Sequence, residues 1–505
     1  MKNDQTIALP STVDECHKMI MRQAEHIAWL EQRLFGSKKD RAVPYDGPTL
    51  FDDYFKQAEA ERAEALEQAA AEVDAHAAKR RAEAKKPVNA NRPSKYLYSG
   101  LREETTVKWP EGVDLDEYDV IGRDVTRLLH FRKAEVWVEC IERPVLRRKG
   151  EKDALRASIV QAPAPAAIIG GNHVAADMLA QLVVNKFTYH IPEHRQAKML
   201  SDLGVTLPRS TMNDWVHAVA NLLYPLYEIQ CEAVRAGGYL QVDEVPWKIA
   251  DRPGKACRAG YAWQFRDVGR SSRGTFFYYH KGSRGGEIAR SQLRGYQGII
   301  QTDGYKVYEI FEHVPGVTSL ACWAHVRRKF VDAQKSHPMA GEVVKHIATL
   351  YALEKNLRHD GATEEQIREQ RQRLARPVID GIEAWMWAAL PKCTPKDPLA
   401  NAISYAQSLW TRLVRYTENG LYHIDTNPVE RGQRPTVLGR KNFLFSQNDR
   451  GAEDNAVFYT FLVSCDNLGV PPLEWLTRTL EKIKPDMDEE QLKALLPCNY
   501  KADAS

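Results

Sequence analysis

Three acidic residues in the second half of the sequence have the types and surroundings to bind a hard metal cation. Asp243 lies inside the apolar run GYLQVDEVPW, Asp303 ends the apolar run GIIQTD, and Glu430 lies in DTNPVERGQRPTVLGRKNFLF. An ionised carboxylate in an apolar strand is costly unless it is paired or metal-bound. Mg²⁺ prefers oxygen ligands such as carboxylates. Asp243 and Asp303 are therefore candidate ligands of a cation.

Each of the three carboxylates also has an ordinary structural interpretation. Either aspartate can be hydrogen-bonded to a turn or paired with an arginine. Glu430 can be the N3 carboxylate of a helix that has Asn427 as its N-cap and Pro428 as its N1 residue. Taken one at a time, none of the three defines a site.

Two neighbouring acids are alternatives within the same hypothesis. Glu244 directly follows Asp243, and Asp425 precedes Glu430 by five positions. Successive side chains of a strand point to opposite faces, so Asp243 and Glu244 cannot both face one site. Glu244 and Asp425 stay open as substitutes.

Two basic clusters accompany the acids. The stretch that begins at Glu430 contains four basic residues and no further acid: Arg431, Arg434, Arg440 and Lys441. A solvated helix usually mixes both signs, so contact with DNA phosphates explains this cluster better. The second cluster lies in CWAHVRRKF and comprises His325, Arg327, Arg328 and Lys329. It is a candidate DNA contact, with a solvated helix face as its alternative.

Composition bounds the class of protein. The chain has 505 residues, of which 43% are hydrophobic and 27% charged, so we expect a folded, multidomain protein. A net charge of +3 does not by itself indicate a nucleic-acid partner. The eight cysteines form no CxxC pair, which favours reduced thiols in a cytoplasmic protein. We find no signal-peptide pattern and no apolar run of membrane-spanning length, so the sequence predicts neither export nor membrane insertion.

The elements that must position the acids form an α/β pattern. Three aromatic-rich strands, a helix, the strand GIIQTD, a helix, the strand VTSLACW and another helix follow one another from Gly238. The sequence predicts a catalytic core over residues 236–330 that resumes over 421–465. A helical insertion is expected over 331–420 and a C-terminal helical tail over 466–505. Acids at strand ends of an open α/β sheet are placed for chemistry.

Further units are predicted before the core. Val13, Ile20, Ile27 and Leu34 recur every seven residues, so residues 12–35 can form a coiled coil within an N-terminal unit of residues 1–50. Self-association is favoured, although the same helix could pack on its own chain. Residues 51–94 resemble a solvated helical linker, and residues 95–160 a small β-rich module.

A helix-turn-helix pattern is predicted within a helical domain over residues 161–235. The segment AKMLSDLGVTLPRSTMNDWV has one helix, a turn with Gly204 and a second helix that Ser210 or Thr211 could cap. Arg209, Ser210 and Thr211 are then candidate DNA contacts. Any two-helix corner can imitate this pattern.

Several motifs in order resemble those of one transposase family. VDEVPW, QTDGYKVYE, CWAHVRRKF and NPVERGQRPTVLGRKNFLF are similar to the successive motifs of the insertion-sequence-66 family of bacterial transposases. LFGSKKDR, QAPAPA, VVNKFTYHIPEHRQAKML and LPCNY also resemble that family. Together they span almost the whole chain, which a chance match of one motif would not.

The resemblance implies a ribonuclease-H-like mixed sheet with a helical insertion, whose metal ligands are Asp243, Asp303 and Glu430. These positions are 60 and 127 residues apart, and the longer gap accommodates the insertion. The implied activity is that of a DDE transposase, which cleaves element ends and joins them to target DNA. Asp243 is the candidate bridging ligand of two Mg²⁺ ions, with Mn²⁺ as a substitute.

The resemblance also implies partners and one departure. The expected partner is double-stranded DNA, both the terminal inverted repeats and the target, for a homo-oligomer in the bacterial cytoplasm at the nucleoid. Small accessory proteins encoded by the same element are implied as well. The family commonly has a cysteine-rich zinc module before QAPAPA, but residues 95–160 contain only Cys140. We therefore expect no structural zinc.

Two other functions fit the same residues. A metal-dependent nuclease that cuts without joining could have an identical site. A non-catalytic protein could bind DNA through the helix-turn-helix and the coiled coil while the core is inert, although acids at all three motif positions speak against this.

Overall fold

The computed structural model describes residues 52–83, 135–141, 145–147, 159–161, 166–170, 174–250, 256–394 and 396–501. The predicted coiled coil lies outside the described residues, as does most of the predicted β-rich module. Among the described residues, no helix combines the length and apolar character needed to cross a membrane.

The secondary-structure elements are numbered in chain order. Up to the last strand they are α1 (Asp52–Glu83), β1 (Val145–Arg147), β2 (Ile159–Gln161), α2 (Ala176–Phe187), α3 (Glu193–Asp202), α4 (Arg209–Arg235), β3 (Tyr239–Ile249), β4 (Arg258–Asp267), β5 (Thr275–His280), α5 (Gly286–Gln292), β6 (Gly298–Gln301), a 3-10 helix (Lys306–His313) and β7 (Val317–Leu320). The later helices are α6 (Trp323–Gln334), α7 (Ala340–His359), α8 (Glu364–Gln370), α9 (Arg376–Ala389), α10 (Pro398–Ser408), α11 (Trp410–Val414), α12 (Asn427–Phe443), α13 (Asp449–Leu468), α14 (Pro472–Lys482) and α15 (Glu489–Ala494).

The described residues divide into two compact units. The α/β unit comprises those within Lys79–Ala321 and Asp425–Ser505. The helical unit comprises those within Met1–Ala78 and Cys322–Ile424.

A mixed five-stranded sheet is the centre of the α/β unit. Its strand order is β5-β4-β3-β6-β7, in which β3 pairs with β4 antiparallel and with β6 parallel. The predicted mixed α/β architecture is therefore confirmed. The connection between β6 and β7 is a 3-10 helix where the sequence predicts an α-helix.

The outer edge of β5 is covered by helix α13. The main-chain N–H groups of Thr275 and Phe277 donate to the hydroxyls of Ser464 and Thr460, at 3.0 and 2.8 Å. An uncovered strand edge would present unpaired donors to other chains. The two hydroxyls accept hydrogen bonds from main-chain N–H groups of the strand edge and hold α13 against the sheet.

Helix α12 lies against β3 and β4. One close approach is at Gly432, where the Cβ of any larger residue would collide with the amide nitrogen of Gln264. Only glycine permits this approach without displacing Gln264. The tight contact holds the first turns of α12 close to the central strands.

The helical unit has a buried ion pair at its core. Arg371 bonds both carboxylate oxygens of Glu354 at 2.8 Å and also donates to main-chain carbonyls, including that of Tyr416. Helix α1 also packs in this unit, because Ala69, Val73 and Ala77 are buried. The prediction of a solvated linker is therefore wrong for this face of α1: small alanines allow close packing despite few large apolar groups.

Candidate active site

Asp243 lies on the central strand β3, opposite Gln264 of β4. Its side chain is partly buried, and its main-chain carbonyl accepts a hydrogen bond from Gln433 of α12 at 3.3 Å. Strand alternation places Gln241 on the same face of the sheet. Asp243 thus lies on the face that α12 covers.

Glu244 points to the opposite face, where its carboxylate is already engaged. Its side chain is 1% exposed and accepts hydrogen bonds from the guanidinium of Arg284 and the hydroxyl of Tyr308. A carboxylate held by a cation and a phenol is structurally satisfied. Of the two neighbours, Asp243 is the better candidate for a site next to α12.

Asp303 lies two positions after β6 ends at Gln301. One oxygen of its carboxylate, Oδ1, accepts the main-chain N–H of Tyr305 at 3.0 Å. The turn hydrogen bond considered from the sequence is therefore present. It orients the carboxylate and occupies one of several acceptor positions.

Glu430 lies in the first turn of α12, which begins at Asn427 with Thr426 as its N-cap. The prediction of Asn427 as N-cap and Glu430 as N3 is therefore wrong by one position. The carboxylate that bonds the start of the helix is instead Asp425, whose Oδ1 accepts the N–H of Asn427 at 3.1 Å. Glu430 accepts the Thr426 hydroxyl at 3.3 Å.

Asp303 and Glu430 are close enough to Asp243 for their charges to act on it. Burial, together with the negative charges of Glu244, Asp303 and Glu430, raises the pKa of Asp243 to about 8. Like charges disfavour ionisation of a neighbouring carboxyl, and the contribution grows as they approach. Asp303 and Glu430, which come from two other elements, therefore lie near Asp243, and these three acids are called the acidic cluster below.

Gln241 connects the central strand to the start of α12. Its side-chain nitrogen donates to the carbonyl of Asp425 at 2.9 Å, and its Oε1 accepts the N–H of Val429 at 3.2 Å. The same nitrogen donates to Gln301 of β6 at 2.8 Å, and Tyr239 donates to Gln301 at 2.6 Å. Sequence reasoning missed this network, although strand alternation places Gln241 on the face of Asp243.

Arg266 of β4 is a second contact to this helix start that the sequence did not reveal. Its guanidinium donates to the carbonyl of Pro428 at 2.6 Å. Burial and the nearby charge of Arg431 lower the pKa of Arg266 to about 10. Two cations therefore lie beside the first turn of α12.

The four basic residues predicted on α12 divide into two groups. Arg431, Arg434 and Lys441 are exposed. Arg440 is half-buried and donates to the main-chain carbonyl of Pro246. Helical geometry explains the division, because position 440 lies on the side of α12 that faces β3, whereas 434 and 441 share the outer face.

The candidate DNA-contacting residues before the sheet lie at the start of α4. Helices α3 and α4 are joined by a turn in which Gly204 has a φ of +89°. Pro208 is the N-cap of α4 and no side chain caps this end, so the prediction that Ser210 or Thr211 caps the helix is wrong. Arg209 and Ser210 are exposed, and Thr211 is half-buried.

The remaining candidates belong to the helical unit, on α6. Arg327, Arg328 and Lys329 are exposed and His325 is half-buried. The ammonium of Lys329 lies 5.5 Å from the centre of the Tyr405 ring. These side chains lie on a helix surface that solvent reaches.

Comparison with known proteins identifies the family. The family model described as "Transposase IS66 family" matches residues 171–454, more than half of the chain. Uncharacterized protein y4jD of Sinorhizobium fredii (strain NBRC 101917 / NGR234) is 32% identical over 363 residues, 69% of this chain and 71% of the relative. Uncharacterized protein y4qI of the same strain is 31% identical over 442 residues, 84% of this chain and 80% of the relative.

The chain therefore belongs to the IS66 family of transposases. Its family is one of DDE-type nucleic-acid enzymes, which bind DNA and generally use a divalent metal. The acidic cluster and the mixed sheet are features of the structure and do not depend on the family match.

Proposed function

We propose that this chain is a DDE transposase that cleaves the ends of its element and joins them to target DNA, with Asp243, Asp303 and Glu430 as catalytic metal ligands. The observation that carries the proposal is the nearness of these acids: burial and the charges of Glu244, Asp303 and Glu430 together raise the pKa of Asp243. Like charges brought near one another destabilise a fold unless a cation offsets them.

The sheet topology supports a ribonuclease-H-like core. Three antiparallel strands, β3 to β5, are extended by two parallel strands, β6 and β7, in the order β5-β4-β3-β6-β7. Asp243 lies two positions beyond Gln241, and Asp303 two positions beyond the paired Gln301 of the adjacent parallel strand. This neighbouring position supports a shared metal site.

The donor set fits a hard divalent cation such as Mg²⁺, with Mn²⁺ as a substitute. All three candidate ligands are carboxylates, and their mutual repulsion is what a bound cation would relieve. When bound, a pair of such ions would neutralise charge on the attacking and leaving oxygens of the phosphodiester. Asp243, Asp303 and Glu430 would hold them.

The residues around the cluster orient its members. The Tyr305 N–H holds Asp303, the Thr426 hydroxyl holds Glu430, and Gln241 fixes the helix that carries Glu430. Preorganised ligands need little rearrangement on binding. The exposed side chains of Arg431, Arg434 and Lys441 are the proposed phosphate contacts, and α3 with α4 are candidates for recognition of the element end.

The proposed reaction has two phosphodiester transfers. Water attacks a phosphorus at the element end, the bond to the 3′-oxygen breaks, and a free 3′-hydroxyl and a 5′-phosphate result. That hydroxyl then attacks a phosphorus of target DNA and displaces the target's 3′-oxygen. A homo-oligomer aided by small accessory proteins would hold both DNA partners.

A cleavage and joining assay tests the proposal. Purified full-length protein would be incubated with duplex DNA that carries the terminal repeat flanking the coding sequence, with plasmid target, and with Mg²⁺, Mn²⁺ or chelator. We expect metal-dependent release of the element's 3′-end followed by its covalent appearance in the plasmid. Cleavage without joining would support a nuclease instead, and DNA binding without cleavage would support a non-catalytic protein.

A further inference from the structure

A tight turn follows α12 directly, at its C-cap residue Leu444. Leu444 has φ +67° and ψ −49°, and the N–H of Phe445 donates to the carbonyl of Phe443 at 2.8 Å. This is a γ-turn with a positive φ at its centre, which is rare and strained for a residue with a Cβ. Strain of this kind persists only where the surroundings impose it, and it is often found at functional sites.

The surroundings do impose it here. Directly after the turn, the N–H of Ser446 donates to the main-chain carbonyl of Lys248 in β3 at 2.9 Å. The carbonyl of Ser446 accepts the N–H of Ala250, also at 2.9 Å. The Ser446 hydroxyl also accepts from Asn455 of α13 at 2.9 Å. The turn is therefore held on one side by the end of α12 and on the other by the main-chain hydrogen bonds between Ser446 and the end of β3.

The strained turn presents two large apolar side chains to solvent. Leu444 is 59% exposed and Phe445 is 45% exposed. They line an open hollow together with Lys248, Arg440 and Lys441. Single exposed apolar residues are ordinary, but here two adjacent ones are held out by a strained backbone and bordered by cations.

The turn has a defined position relative to the acidic cluster, because one helix carries both. Glu430, Arg434 and Lys441 are spaced by four and seven positions, which places them along one face of α12. The 14 positions from Glu430 to Leu444 correspond to roughly 20 Å of helix, about six base pairs of duplex DNA. The face thus runs from an acid through two cations to an apolar tip.

From these observations we infer that Leu444 and Phe445 form an apolar wedge that inserts between base pairs of duplex DNA held along α12. The bordering Lys248 and Lys441 complement the phosphates, and Phe and Leu are residue types that proteins use to open base steps. The inserted step would lie about six base pairs from the phosphate at the acidic cluster. The inference rests on the proposed function, which supplies that phosphate.

The experiment measures base unstacking without cleavage. Element-end duplexes with 2-aminopurine at successive positions would be bound to full-length protein in chelator, and fluorescence and affinity recorded. Leu444→Gly is the key variant, because glycine adopts a positive φ readily and so removes the side chain while relieving the strain. Phe445→Ala removes the aromatic ring, and Leu438→Ala is the matched control, since Leu438 is an exposed leucine of the same helix.

We expect a fluorescence rise at one step with the wild type and with Leu438→Ala, and its loss in Leu444→Gly and Phe445→Ala. Phe445→Ala should weaken binding about fivefold or more, while the melting temperature of Leu444→Gly stays at or above that of the wild type. A wild type with no fluorescence rise, or a Leu444→Gly variant that keeps the rise, would overturn the wedge. So would dilution-sensitive self-association that depends on Leu444, which would make the tip a contact between two copies.

The two proposals can fail separately. If cleavage with Mg²⁺ is normal in Leu444→Gly and no step is unstacked, the wedge is wrong and the transposase activity stands. If the wild type unstacks one step in chelator but never cleaves with metal, the catalytic proposal is wrong and the DNA wedge stands.

Discussion

Gln241 and Val429 are 188 positions apart, yet the side-chain oxygen of Gln241 accepts the main-chain N–H of Val429 at 3.2 Å. Because Val429 directly precedes Glu430, this bond ties the carboxylate-bearing turn of α12 to the strand that carries Asp243. The donation from Gln241 to the Asp425 carbonyl fixes the same turn from its other side.

Gln241→Leu should therefore impair catalysis beyond its effect on stability. The change leaves buried main-chain groups without their partner, which costs about 1 to 3 kcal/mol of folding free energy. We also expect the Mg²⁺ concentration for half-maximal cleavage to rise, because Glu430 is no longer held in register. Chemical denaturation and a metal titration of cleavage measure the two effects.

Gln230→Leu provides the matched control for that variant. Gln230 is also fully buried and donates to main-chain carbonyls, but at the β5 edge, at Arg273 and Thr275. Its loss should lower stability to a similar extent and leave the metal requirement unchanged. Equal shifts of the metal requirement in both variants would make Gln241 merely structural.

Asp243→Asn should stabilise the protein in the absence of metal at alkaline pH. The folded pKa of Asp243, about 8, lies above the ordinary value near 3.9. The folded state then binds the proton more tightly, so this group's penalty is absent near pH 4, grows as pH rises and is complete above about pH 8. Asparagine has no such penalty.

Melting temperatures from pH 5 to pH 9, in chelator and in Mg²⁺, check this prediction. In chelator the variant's advantage should widen with pH, and in Mg²⁺ only the wild type should gain stability. If the melting temperature of the wild type is the same with and without Mg²⁺ at every pH, Asp243 is not a ligand of the metal.

Arg434 and Lys441 should contribute to DNA affinity through phosphates alone. Replacing both with Gln should reduce the slope of log affinity against log salt by about 1.8, because each phosphate contact contributes about 0.9. Affinities for unrelated sequences should fall alike. Fluorescence anisotropy at several salt concentrations measures the slope.

Arg440→Gln should behave differently from its neighbours. Arg440 donates to the Pro246 carbonyl, so its loss should cost about 1 kcal/mol of stability and leave the salt slope nearly unchanged. A slope that falls as much as for Arg434 would show that Arg440 contacts DNA despite its bond to Pro246.

Local sequence patterns are sufficient to predict the strands of the core. Alternation and apolar runs identify β3 to β7, because those signals depend only on neighbouring residues. Alternation also separates Asp243 from Glu244, and Glu244 indeed meets Arg284 and Tyr308 on the far face.

The details that position the acids depend on contacts between distant segments, which local patterns do not contain. The sequence predicts the start of α12 one position too late, because the Asp425 carboxylate accepts the N–H of Asn427 and Thr426 is the N-cap. Gln241 is a polar residue in an apolar strand, and its side chain bonds main-chain groups of Asp425 and Val429, which are 184 and 188 positions away. No spacing rule could have revealed that pairing.

The most direct test compares Glu430→Gln with Asp425→Asn. Asp425 bonds the start of α12, so Asp425→Asn should lower stability by about 1 kcal/mol or less and keep its activity per folded molecule. Glu430→Gln keeps the side-chain size and removes the charge that a divalent cation needs.

The measurement is the rate of cleavage of element-end DNA under saturating Mg²⁺, normalised to folded, DNA-bound protein. We predict that Glu430→Gln folds and binds DNA like the wild type but cleaves at least about a hundredfold more slowly, whereas Asp425→Asn cleaves normally. Near-normal cleavage by Glu430→Gln, together with loss of cleavage in Asp425→Asn, would contradict the proposed site and assign its third carboxylate to Asp425.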